Sequence, residues 1–166
     1  MNLRPLLLTL LMMLAVAPPA WSADPAIELT WENLVPGLDV FIAKGLVAHG
    51  DPAAAQIDYD TIAAAGTVPD YNGKRVALAG FVVPLDLDSN IVREFLLVPY
   101  IGACIHVPPP PPNQIVFVRA AKPIKITGLF DAMIVTGRMS TPDLINTDLA
   151  DIGYQIDADT VAEYEF

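Results

Sequence analysis

Two side chains suited to gripping a soft cation stand two residues apart in GACIHVPPPPPNQ, residues 102–114. They are Cys104, the only cysteine in 166 residues, and His106, one of two histidines. In an extended backbone, alternate side chains point the same way. Cys104 and His106 would then share a face, with Ile105 turned away. Their Cα atoms would lie about 6.5–7 Å apart, and zinc–sulfur and zinc–nitrogen bonds of roughly 2.0–2.3 Å let two such side chains meet at one ion. A thiolate beside an imidazole favours zinc, with copper(I) second, over magnesium or calcium. Zinc usually takes three or four protein ligands, and this segment supplies two. His49, Glu94 and Asp131 are possible additional ligands, with Asp51, Asp86 and Asp88 as further carboxylates; spacing does not choose among them.

The same pair has two other readings. Cysteine is among the most buried residue types, so the thiol could simply pack in a core while the imidazole bonds one carbonyl. An imidazole can also activate a thiol as a nucleophile, which needs the two groups in contact and a third to orient the ring. No other catalytic signature accompanies them: the chain has no Gly-x-Ser-x-Gly and no P-loop, so no residue is assigned a catalytic role.

Five prolines follow: Pro108, Pro109, Pro110, Pro111 and Pro112. They favour a polyproline II rod about 15 Å long. Lacking N–H donors, they cannot occupy a central strand. The rod is expected at a rim between two strands, where it could fix the angle of the Cys-x-His segment or present an apolar face to a partner protein.

The elements expected to position this segment are mainly β. Tyr71-Asn72-Gly73-Lys74 reads as a turn, and the chain beyond it is strand-like. RVALAGFVVPL, REFLLVPYIG, NQIVFVRA, IKITGLFDAMIVTGRMS and GYQIDADTVAEYEF form the series, with Gly80 read as a bulge or bend and Pro99 as a strand end. Short strands with glycine kinks and no crossover helices predict a small five-stranded antiparallel barrel over residues 71–166, resembling an OB-fold. Residues 24–70 predict an irregular, partly helical N-terminal layer. It starts from a loose lead-in and a helix capped by Thr30 and stopped at Pro36-Gly37.

Residues 1–23 predict a signal peptide: Arg4, an apolar run over 6–17, then Ala20, Ser22 and Ala23. The expected location is therefore the periplasm, with no transmembrane segment in the mature chain. An exported protein with one thiol cannot close an internal disulfide in an oxidising compartment. With 19 acidic against 9 basic residues, the formal net charge is −10. That charge disfavours a phosphate backbone, so nucleic acid is not an expected partner.

The stretches TWENLVP at 30–36, GFVVPLD at 80–86, EFLLVPYIGACIHVPPPPPNQIVFV at 94–118 and GYQIDADTVAEYE at 153–165 resemble a bacterial family known as domain of unknown function 3299. The resemblance spans roughly residues 70–165 and carries over Cys104, His106 and the five prolines. It implies an exported protein or lipoprotein, often encoded beside an ABC transporter and sometimes beside a histidine-rich, zinc-linked exported protein. An exported or inner-membrane transporter component is thus the partner it implies. It brings no established activity, and this chain lacks the lipid-attachment cysteine of some relatives.

Overall fold

The structure is a computed structural model and describes residues 24–38, 59–86, 90–103, 110–142, 145–146 and 150–166. Eight strands are present among them: β1 (Ile27–Leu29), β2 (Arg75–Pro84), β3 (Ile91–Val98), β4 (Val116–Lys125), β5 (Ala132–Ser140), β6 (Ile145–Asn146), β7 (Asp151–Ile152) and β8 (Tyr154–Glu163). One short helix, α1 (Tyr59–Ala64), and 3-10 turns at Trp31–Leu34, Pro69–Tyr71 and Pro112–Gln114 complete the elements.

Five strands close into a barrel. The order β2-β3-β4-β8-β5 returns to β2 through a long antiparallel pairing, Arg75↔Arg138 through Phe81↔Ala132. Counted along the chain, this is the 1-2-3-5-4-1 order of an OB-like Greek-key barrel. It corrects the all-antiparallel expectation. A closed ring of five strands cannot alternate direction throughout, so at least one neighbouring pair must run parallel. Here that pair is β4 and β8, Val116↔Tyr154 through Ala120↔Ala158. The expected loose lead-in is also partly strand: β1 lies parallel on β2, Ile27↔Val76 through Leu29↔Leu78.

Alternation fills the barrel. Val76, Leu78 and Val82 on β2 meet Phe95 and Leu97 on β3, Val116 and Val118 on β4, Met133, Val135 and Met139 on β5, and Tyr154 and Ile156 on β8. Leu29 and Leu34 from the N-terminal layer join the same core, as partly buried Trp31 and Tyr71 pack against it. Unlike a half-solvated strand, β3 is buried on both faces near its end. Leu96 and Val98, one position off the inward residues, form a second cluster with Val83, Ala103, Ile115 and Ile152.

Three local devices shape the ring. Between Val92 and Glu94 the β3–β4 register shifts, and the Arg93 guanidinium donates to the carbonyls of Ala120 (3.1 Å) and Ala121 (2.6 Å) in the bulge. A second shift at Thr136/Gly137 leaves Asp159 as the extra residue on β8. At Gly80, expected as a bulge or bend, the β2–β5 register runs on without a shift, and the glycine makes room: a Cβ there would lie 2.8 Å from Trp31 Cζ2 and 2.9 Å from the Val98 carbonyl. The apolar run at 124–140 resolves into the end of β4, a turn holding Phe130 at φ 64°, and β5.

Candidate functional site

The segment with the thiol, the imidazole and the prolines connects β3 to β4. Its two shoulders are fixed. Ala103 is fully buried in the outer cluster with Val98, Ile115 and Ile152, and Pro110 is buried on the other side. Cys104, His106, Pro108 and Pro109 fall outside the described residues, as do His49, Asp51 and Asp88.

From Pro110 onward the segment is bound into the fold. Pro111 and Pro112 are half-buried. The Pro111 carbonyl accepts from Gln114 N (2.8 Å), and the Pro112 carbonyl accepts from Ile115 N (3.3 Å) and Gly153 N (2.8 Å). The last of these ties the proline end to Gly153, the residue before β8. Gly153 is needed for that approach, since a Cβ there would lie 2.9 Å from the Pro112 carbonyl oxygen.

Asn113, 1% exposed, is the polar residue buried in the described core. Its amide donates to the carbonyls of Ile62 (2.7 Å) and Gly66 (2.9 Å), holding α1 and the turn after it. Its Oδ1 is buried with no hydrogen-bond partner. Gln114 Nε2 donates to the Trp31 carbonyl at 2.9 Å, and the Trp31 indole donates to the Ala79 carbonyl at 2.8 Å. Beside them the fully buried Tyr154 hydroxyl donates to the Leu34 carbonyl (2.8 Å) and accepts from Val68 N (2.7 Å). Burial pushes this phenol up to about 12, offset in part by the Val68 hydrogen bond. Asn113, Gln114, Trp31 and Tyr154 thus stitch the N-terminal layer to the barrel.

These four residues are absent from the sequence-derived candidates. These partners lie 47 to 120 residues away, beyond any local pattern. The one available signal was chemical: an Asn-Gln pair wedged between a proline rod and an apolar strand must bury its amides, and buried amides need partners.

Of the possible additional ligands, Glu94 and Asp131 are described. Glu94, opposite Arg119 in register, accepts from its Nε at 2.9 Å. That hydrogen bond, with the carboxylate's charge, raises the Arg119 pKa. Asp131 accepts from Thr127 N (2.6 Å) and Thr127 Oγ1 (2.8 Å), closing the turn before β5. Among the described residues, no three His, Cys, Asp or Glu side chains gather as a metal-ligand group. A cavity of about 540 Å³ lies between the Trp31 turn and Val68–Pro69–Tyr71, with Glu32 as its one carboxylate. No described helix is long and apolar enough to cross a membrane.

The barrel defines an OB-like protein whose β3–β4 connection is bound into the fold from Pro110 onward. The chain belongs to the DUF3299 family, described as "Protein of unknown function (DUF3299)", whose model matches residues 31–163. That match takes in most of the N-terminal layer as well as the barrel. A solved DUF3299 family protein from Pseudomonas aeruginosa PAO1 is 36% identical, with a TM-score of 0.64 over 86% of this chain and 98% of its own. No curated protein matches the chain.

Proposed function

We propose that this protein is an exported binding or accessory protein that holds a zinc or copper(I) ion through Cys104 and His106. It would serve a periplasmic metal-homeostasis or transporter system. The observation that carries the reading is the pinning of the segment: Ala103 on one side and Pro110 on the other are both buried against the barrel. A short span tethered at both ends confines where its side chains can reach, which lowers the ordering cost of gathering ligands. The ion's chemistry follows from the thiol and imidazole themselves. The transporter connection rests on the family resemblance.

Glu94 and Asp131 are already engaged by Arg119 and Thr127. A third ligand is therefore expected from His49 or from solvent rather than from either carboxylate. Equilibrium dialysis of the purified protein against zinc, followed by elemental analysis, tests the reading. About one equivalent should be retained by the wild type, and far less by Cys104→Ser or His106→Ala. Equal retention by wild type and Cys104→Ser would end the proposal.

A further inference from the structure

The end of β8 carries an aromatic strip that the fold does not cover. Beyond β8, the Tyr164 N–H donates to the Ala132 carbonyl at 3.0 Å, fixing the strip to β5. The Phe166 ring stacks on Phe81 of β2 with centroids 4.9 Å apart and planes 18° apart. Tyr164 meets Phe166 edge-on, also at 4.9 Å. These contacts hold the rings in place without burying them: Phe166 is 72% exposed and Tyr164 38%. Leu129, in the turn before β5, is 46% exposed. Scattered apolar side chains on a surface are ordinary, whereas three rings in mutual contact at one edge form a contiguous apolar patch.

Charge says what would cover it. The strip borders a cavity of about 410 Å³ lined by Thr127, Asp131, Met133, Glu163, Tyr164 and Glu165, with Ala132. Met133, which also lines it, belongs to the barrel core. Its walls hold three carboxylates and no Lys, Arg or His among the described residues. Among the described residues neither Glu163 nor Glu165 takes part in an ion pair; the ion pairs there are Arg75–Asp159 and Arg119 with Glu94 and Asp157.

We infer that this strip docks a partner-protein segment in which apolar side chains alternate with Lys or Arg. Such a segment places apolar groups on Phe81, Tyr164 and Phe166. Its cations then meet Glu163, Glu165 and the ring faces. A neutral apolar partner would strip water from the carboxylates without replacing it. A second copy of this chain would bring the same carboxylates and the same net charge of −10 to the contact. The inference does not depend on the Cys104–His106 reading.

The test uses a fluorescein-labelled peptide of alternating Lys and Leu, its Glu/Leu counterpart, and phosphatidylcholine vesicles, with the full-length mature protein. The Lys/Leu peptide should bind with an affinity that falls as salt rises. Tyr164→Ala/Phe166→Ala should weaken it about tenfold or more, and Glu163→Gln/Glu165→Gln about threefold. Glu28→Gln/Asp70→Asn, acidic positions elsewhere, should leave it unchanged. The charge variant alters only exposed side chains, so it keeps the test decisive should the aromatic variant misfold. Three outcomes would overturn the inference: affinity indifferent to both strip variants, equal binding of the Glu/Leu peptide, or strip-dependent binding of the vesicles.

Discussion

The span from Pro110 to Ile115 and the strip at 164–166 differ both in their residues and in how the fold treats them. In the first, amide N–H donors and a backbone carbonyl are drawn inward and matched to partners far along the chain, Asn113 to Ile62 and Gly66, Gln114 to Trp31, Pro112 to Gly153, with Asn113 Oδ1 left unmatched. In the second, aromatic rings and carboxylates are ordered but left facing water. A buried polar group unmatched costs the fold directly, so the first region answers to stability. The second contributes little to stability and can answer to a partner. Substitutions in the two regions should therefore separate stability from recognition.

The largest effect is expected at Asn113. Asn113→Ala removes both amide donors and leaves a small void, and should cost about 3 kcal/mol in urea unfolding. A loss under about 1 kcal/mol would mean that the clamp is ornamental. Tyr154→Phe should cost about 1–2 kcal/mol, because Val68 N–H loses its acceptor and the Leu34 carbonyl its donor.

Tyr154 also has a pH signature. With the folded phenol at about 12 and an unfolded value near 10, the unfolded chain ionises first as pH rises. The stabilisation is whole below about pH 10 and drains away toward about pH 12, by about 2–3 kcal/mol at most. Urea midpoints across this range should fall for the wild type and flatten in Tyr154→Phe. Tyr164→Ala/Phe166→Ala should cost about 1 kcal/mol or less, because both rings are substantially exposed. Smallest of all, Glu94→Gln should change stability by about 0.5 kcal/mol or less, since both members of its ion pair are about half exposed.

What could be read from the sequence follows the range of the interactions. Strands β2, β3, β4, β5 and β8 announce themselves through apolar alternation and through Pro99, Asn72-Gly73 and the other breakers. That information lies within ten residues of each position. Strand direction does not: the parallel β4–β8 pair follows from ring closure, a property of five strands together. Gly80 shows the same limit. A glycine in a valine-rich strand suggests a bulge, yet its reason here is the Trp31 ring, 49 residues earlier, resting where a Cβ would stand. β1 was hidden because three residues, one of them Glu28, carry too little pattern to stand out. The Cys-x-His pair stood out by residue type alone, whereas Asn113 and Gln114, seven and eight residues past His106, gained meaning only from their distant partners.

Under the proposed function one motif serves two tasks: its Pro110–Gln114 end holds the fold, and its Cys104–His106 end would hold an ion. Thermal unfolding with and without saturating zinc, on wild type and Cys104→Ser, tests that division most directly. A ligand at 100 times its dissociation constant adds about 2.7 kcal/mol to the folded state. The account predicts that zinc raises the melting temperature of the wild type by several degrees and leaves Cys104→Ser unmoved, with both proteins melting together when metal-free. An equal zinc response in the two proteins, or none in the wild type, would contradict it.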